Sequence, residues 1–344
     1  MVRIVLHIGT EKTATTSIQW HLYENRKLFA EKGVLYPEKL GGENHLCFPA
    51  LAIGRPDADE ITTAAYALMK RFGYDAMDKY VLETLDWQIA ASKPDTILLS
   101  NEHLHSRITT TEQVHRLKRL LSTITDNIEI VLYIRRQDRL AVSYYSTPFK
   151  FGKKTVDRVI PDVAGQLPHY YDYGKIVTQW SEVFGKDNIT VRIFEEEVRA
   201  KGGIINSFLN AARVTPPKTQ LAKTHNESLS LEAIHFLASF NEKMDAFPDR
   251  AGELRKLRND LVRFLERNYP AARKLASRDA AKQFLARCKP SNDIVLKSFF
   301  PQRDRLFDEN FNEYGGEEIL SPDPATLAEI GARAAMAVGT GFAN

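Results

Sequence analysis

Four short runs limit what this chain can fold into. Arg3–Ile8, Thr96–Ser100, Ile128–Ile134 and Ile189–Phe194 are mostly apolar and rich in β-branched residues. A strand covered on both faces reads as a nearly unbroken apolar run, whereas a strand with one wet face alternates. Val34–Tyr36 is a shorter candidate of the same kind. The stretches between them carry helical spacing. In Thr15–Lys32, Ile18, Leu22, Leu28 and Phe29 fall near one face, and Gly33 is a natural stop. In Tyr171–Phe184, Ile176, Val177, Trp180 and Phe184 do the same. Strand alternating with helix predicts an α/β fold: a parallel sheet flanked by helices.

The character changes after Pro216-Pro217. Residues from about Ser228 to Phe284 are helix-rich and heavily charged, with LRKLRNDLVRFLERNY as the clearest amphipathic run. This predicts an α/β core over 1–215, a helical insert or lid over 216–290, and a C-terminal segment, 291–344, that packs back on the core. Within that segment SFFPQRDRLFDENF mixes aromatics with arginines, and a closing helix with a frayed tail is expected from Ala325.

Composition excludes some classes. Of 344 residues, 43% are apolar, enough for a sizeable core, and the formal net charge is only +3. A protein that wraps nucleic acid needs a broad basic field, so any anion site here must be local. The two cysteines, Cys47 and Cys288, have no metal-ligand spacing, and a reducing compartment fits them. No run of about 18 apolar residues exists, so no membrane span is expected. The first residues read as a core strand rather than a signal peptide, so the expected location is cytoplasmic.

The segment HIGTEKTATTSIQ, His7–Gln19, follows the first apolar run. A loop between a parallel strand and a helix lies at the carboxyl edge of the sheet, where ligands of open α/β folds bind. The helix directs its free N–H groups and positive dipole end there, so an anion is favoured. Gly9 permits a sharp turn, Thr13, Thr15, Thr16 and Ser17 add hydroxyls, and Lys12 adds a charge. The loop is not a Walker A motif. Lys12 stands three residues after Gly9 rather than six, and no Lys-Ser/Thr pair occupies the magnesium position.

IVLYIRRQDRLAVSYYS repeats the plan: an apolar strand, then arginines, then a helix with hydroxyls. Arg135 stands at the strand end and Ser143 eight positions on, with Arg139 one helical turn before Ser143. Such an arginine and serine can grip one phosphate, the guanidinium in bidentate fashion. The alternative is a surface helix with Arg135 paired to a carboxylate.

Together the two segments resemble the sulfotransferases that use 3′-phosphoadenosine 5′-phosphosulfate (PAPS). That family's 5′-phosphosulfate loop reads roughly P-K-[ST]-G-T-T after the first strand, where this chain has Glu11-Lys12-Thr13-Ala14-Thr15-Thr16. Its 3′-phosphate motif has an arginine at a strand end and a serine eight residues on, as Arg135 and Ser143-Tyr144 are here. QWSEVFGKDNITVRIFEEEV is similar to the family's later helix–strand–Glu stretch, and FFP with LFDENF to bacterial glycan-directed members. The resemblance covers roughly Val2–Phe208 and the C-terminal tail, and leaves the helical insert unexplained. It implies a P-loop-like sulfotransferase fold, PAPS as co-substrate without a metal, and a hydroxyl acceptor on a glycan or glycolipid. It further implies that Lys12 stabilises the leaving oxygen, with Gly9, Lys12, Thr13, Ala14, Thr15, Thr16 and Ser17 at the 5′-phosphate and Arg135 and Ser143 at the 3′-phosphate.

Two positions depart from the pattern. Glu11 replaces proline, and is expected to face solvent or pair with a base. Ala14 replaces glycine. A left-handed backbone there would strain alanine, whereas the first turn of the helix would not; the second is expected.

Transfer to a hydroxyl needs a base, and NEHLHS follows the strand TILLS at the same edge. Glu102, the first carboxylate past the strand end, is the expected base, with His103 as the alternative. His105 reads as structural, and His45 in GGENHLCF as a possible lining of the acceptor site. Lys150, Lys153 and Lys154 in FKFGKKT form a basic loop that is either a solvated face or a contact to an anion. A P-loop phosphotransferase or a non-catalytic nucleotide- or glycan-binding module are the competing readings. The first would need a magnesium hydroxyl and a strand-end aspartate; the second would tolerate loss of Glu102.

Overall fold

The computed structural model describes residues 2–54, 60–68, 76–162, 164–217, 228–271 and 274–339. Five parallel strands form one sheet in the order β2-β3-β1-β4-β5. They are β1 (Arg3–His7), β2 (Val34–Leu35), β3 (Thr96–Ser100), β4 (Ile128–Ile134) and β5 (Ile189–Ile193). All five expected strands are present. β1, β2 and β5 each stop one residue early; Phe194 already opens the helix Phe194–Arg199.

The register pairs Leu6 with Leu99 and His7 with Ser100 on one side of β1, and His7 with Val131 on the other. β1 and β3 therefore end side by side, while β4 runs on past them to Ile134, and the loops after all three lie toward one edge. The run Ile4–Leu6 is fully buried, as is Ile97–Leu99, which is why both read as unbroken apolar stretches. One face packs on Ile18, Leu22, Phe208 and Leu209 from the helices Thr15–Glu24 and Gly203–Ala211. Helices Thr111–Leu121 and Tyr173–Phe184 pack on each other, and the latter also on β4 and β5.

The single helix expected over Thr15–Lys32 is two helices, Thr15–Glu24 and Arg26–Ala30. At the break the Asn25 side chain donates to the His21 carbonyl at 2.8 Å. Asparagine competes in this way for backbone groups that would otherwise continue a helix. Likewise the helix expected from Tyr171 starts at Tyr173, capped by Asp172, whose carboxylate accepts from the Lys175 N–H at 3.1 Å.

The described residues fall into two compact units. One holds the sheet and takes in 1–135, 167–224 and 289–307; the other takes in 136–166, 225–288 and 308–344. In the second, helix Leu231–Met244 packs on Ala251–Asn268 and Pro324–Gly339. Asn241 on its buried face donates to the Phe149 and Lys153 carbonyls at 2.8 and 2.9 Å. The amphipathic run is thus a helix, as is the closing segment; the frayed tail lies outside the described residues.

SFFPQRDRLFDENF is divided between the units. In the sheet unit Arg303 bonds both oxygens of Glu196 at 2.6 and 2.9 Å, and Phe307 meets Tyr173. In the second unit Asp308 and the Asn310 carbonyl bind Arg136 at 2.8 and 2.7 Å. Both cysteines are buried and free.

Candidate active site

The loop after β1 stays laddered to β4 past the strand end. Tyr133 donates to the Gly9 carbonyl and Thr10 to that of Tyr133, both at 2.7 Å. Gly9 has φ +97°, and a Cβ there would lie 3.1 and 3.2 Å from the Cα and Cβ of Glu102. No other residue fits that approach. The Thr13 hydroxyl donates to the Thr10 carbonyl at 2.6 Å and closes the loop on itself.

Lys12 and Ala14 are both left-handed, with φ 62° and 58°. The expectation that Ala14 lies in the first helical turn is therefore corrected. Ala14 is the N-cap, and the helix begins at Thr15. A left-handed alanine costs about 1 kcal/mol. Left-handed residues in such a run turn successive N–H groups toward a common concavity, the usual shape of an anion nest. Ala14 also accepts an intrahelical bond, from Ile18 at 3.1 Å, so the head of the helix opens directly from the loop. Gly9, Lys12, Thr13, Ala14, Thr15, Thr16 and Ser17 are thus brought together at one turn.

Arg135, at the end of β4, joins them. Its Nη1 donates to the Lys12 carbonyl at 2.8 Å and its guanidinium lies over the Phe194 ring. Tyr173 fixes its backbone by donating to the Arg135 carbonyl at 2.7 Å. Glu195 lies 3.9 Å from its Nε, so the carboxylate pairing weighed as an alternative is present as well. Ser143 lies half-buried on the helix Gln137–Tyr144 in the second unit.

The arginine one turn before Ser143 has other work. Arg139 bonds Asp308 at 2.9 Å and Glu313, beside the fully buried Arg136, which bonds Asp138, Asp308 and Glu313. Each lysine of FKFGKKT likewise has an acid: Lys150 with Glu266 at 2.6 Å, Lys153 with Asp157 at 2.8 Å, and Lys154 with Asp245. This basic loop is neutralised within its own unit.

Glu102 and His103 follow β3. The buried Gln19 donates to Glu102 Oε2 at 2.6 Å and lies 3.3 Å from the Ser100 hydroxyl, which meets His7 Nδ1 at 2.8 Å. His103 Nδ1 lies 3.3 Å from Glu11 Oε1, and Tyr170 donates to Glu11 Oε2 at 3.3 Å. Burial opposes ionisation of Glu11, but the hydrogen bond and charge of His103 outweigh it and hold the carboxyl down to about 2. Burial also pulls His103 down, yet the bond to Glu11 and the charges of Glu102 and Glu11 win and raise it above 6.5.

The remaining histidines are different. His45 is fully buried; its Nδ1 accepts from the Ser100 N–H at 3.2 Å while Nε2 donates to the Pro37 carbonyl at 2.9 Å. Both nitrogens are engaged, so His45 cannot line an acceptor site as expected. Burial lowers it to about 4, lowers His105 to about 4 and lowers His7 to about 3. His105 Nε2 donates to the Tyr170 carbonyl at 3.0 Å, as a structural histidine should.

Sequence reasoning did not include Gln19 or Tyr170 in the site. Gln19 carries a signal: it falls on the buried side of its helix, three positions before Leu22, where a polar residue needs a partner. Glu11 was visible as the departure from proline, but its partner was not.

No family model matches this chain. An uncharacterised protein of Archaeoglobus fulgidus is 25% identical over 181 residues, 52% of this chain and 47% of that protein. The chain spans about half the length of the curated relative it matches. Among solved structures, a sulfotransferase from Alicyclobacillus acidocaldarius is 14% identical, with 75% of this chain and 96% of that one covered at a TM-score of 0.33.

Proposed function

We propose that the chain is a sulfotransferase that moves a sulfuryl group from PAPS to a hydroxyl of a glycan or glycolipid. One observation carries this reading: the 9–17 turn, with left-handed Lys12 and Ala14, heads a helix while Arg135 grips the Lys12 carbonyl at 2.8 Å. The nest-like backbone, the helix dipole, Lys12 and Arg135 all belong to the carboxyl edge and together support an anion there.

In the proposed step the acceptor oxygen attacks sulfur in line with the bridging oxygen. An S–O bond forms as the bridging S–O bond breaks, and the acceptor's proton passes to Glu102. Lys12 meets the charge that grows on the leaving phosphate oxygen, where a fixed cation acts more strongly than in water. The loop and helix head hold the 5′-phosphate, and Arg135 and Ser143 are assigned to the 3′-phosphate by the spacing of the sequence. The sulfuryl group carries less charge than a phosphoryl group, so no metal enters the step.

Calorimetry decides the donor. Adenosine 3′,5′-bisphosphate is expected to bind more tightly than AMP or ATP, since each charge-assisted bond to the 3′-phosphate contributes roughly 1.5–3 kcal/mol. Equal affinity for AMP removes the PAPS reading.

A further inference from the structure

We propose that His103 acts as a fixed cation, with Glu11 as its positioning residue, and offers its Nε2–H to an anionic oxygen of the donor. Proton removal is then left to Glu102. This rests on the sulfuryl-transfer reading and divides the work of two neighbouring residues that the sequence left as rivals.

The geometry is specific to this loop. Where the resembling pattern has proline, the donor loop carries Glu11, whose carboxylate is mostly buried and touches His103 Nδ1 at 3.3 Å and the Tyr170 hydroxyl at 3.3 Å. A carboxylate that receives a hydroxyl proton and an imidazole N–H is held ionised, and an ionised carboxylate favours the imidazolium. The charged groups around His103 agree. Glu11 faces it from the donor loop and Glu102 precedes it, while Arg107 opposes from its own helix. His105 and Tyr170 also lie at Glu11. Two carboxylates outweigh one guanidinium.

His7, His45 and His105 have no carboxylate on the ring and are kept neutral by burial. His103 is built differently. With Nδ1 tied to Glu11, its ring makes no other hydrogen bond among the described residues. Nε2–H is the group left to donate. An imidazolium cannot take a second proton, so it cannot serve as the base. Glu102, with Oε2 held by Gln19, keeps Oε1 for that role. The proton balance closes: the acceptor's proton goes to Glu102, and His103 keeps both of its own.

The test follows the His103 ring by NMR across pH in wild type and Glu11→Gln, each with and without adenosine 3′,5′-bisphosphate. His103 is expected to titrate above 6.5 in wild type, about one unit or more lower in Glu11→Gln, and higher still in wild type with the bisphosphate bound. Titration at or below 6.5 in wild type, or no change in Glu11→Gln, overturns the ion pair. No change on binding overturns the donor contact.

Turnover gives the independent readout. If the protonated form works, kcat/KM falls as pH rises through the His103 pKa, and Glu11→Gln moves that alkaline limb to lower pH. Movement of the acid limb instead makes His103 the base and overturns the proposal. His103→Gln, which cannot carry the charge, should lose the alkaline limb and covers the case in which Glu11→Gln misfolds. Wild type that neither binds the bisphosphate nor turns over PAPS overturns the sulfuryl reading and the donor contact with it, and the ring titration distinguishes that from a failed ion pair.

Discussion

In the proposed step Lys12 and Glu102 act on opposite ends of one displacement, and neither of them is given the main part in holding the nucleotide. Backbone donors and Arg135 remain when either side chain is changed. Lys12→Ala is therefore expected to lower kcat more than it weakens bisphosphate binding, and Glu102→Gln to lower turnover about 10²–10⁴-fold with binding retained. Steady-state kinetics beside calorimetry check both; normal turnover in either variant removes that residue's role. Ala14 tests the loop differently. Its φ of 58° is a cost that glycine does not bear. Ala14→Gly should raise stability by about 1 kcal/mol in urea unfolding and preserve bisphosphate affinity. A loss of stability would mean that the methyl packs well enough to offset the strain.

The sheet was legible because its strands are buried on both faces, so their sequences are close to pure apolar runs; β3 and β4 fall where the residues placed them. The break at Asn25 was not, because apolar spacing continues through it and the change lies in the backbone of Asn25, at φ −100° and ψ 10°, with its side chain bonded to the His21 carbonyl. In the site, the residue types and their order along the chain were readable, since a lysine, hydroxyls and a strand-end arginine each carry chemistry on their own. Their partners were not. Gln19 reaches Glu102 across 83 positions and Glu11 reaches His103 across 92. The same limit hid the network around the helix Gln137–Tyr144, where Arg136 bonds Asp308 across 172 positions. Arg136 and Asp138 are both fully buried, whereas Asp308 and Glu313 are 46% and 40% exposed. Removing one partner of a buried pair leaves an uncompensated charge, so Arg136→Ala should cost about 3–5 kcal/mol. Arg139→Ala should cost less, because the acids it leaves behind already meet water. Urea midpoints of the two variants give the order, and equal losses would contradict it.

Burial and ion pairing shift several of the chain's histidines in opposite directions, and this sets its response to pH. His7, His45 and His105 are buried neutral, and burial lowers them from 6.5 to about 3, 4 and 4. A group whose folded pKa lies below its unfolded one binds fewer protons when folded, so stability rises with pH across the interval between the two. Each of the three therefore withdraws stability as pH falls below 6.5, by roughly 1.4 kcal/mol per pH unit until its folded pKa is reached. Glu11 joins later with the same sign: its carboxyl is held down to about 2 from 4.5, so its contribution is lost as pH falls from about 4.5 toward 2. His103 runs the other way. Its raised pKa gives stability that is complete below 6.5 and lost as pH rises through the folded value. His21 and His169 are lowered by burial as well and add to the same trend. Between pH 6.5 and 5 these lowered histidines thus dominate, and urea unfolding followed across that range should show stability falling with a slope of about three protons or more. His7→Asn, which keeps a polar side chain beside the Ser100 hydroxyl and cannot titrate, should reduce the slope by about one. A flat profile from pH 6.5 to 5 would mean that these rings are charged in the folded state. That would require buried partners for His7 Nε2 and His105 Nδ1, which have none among the described residues.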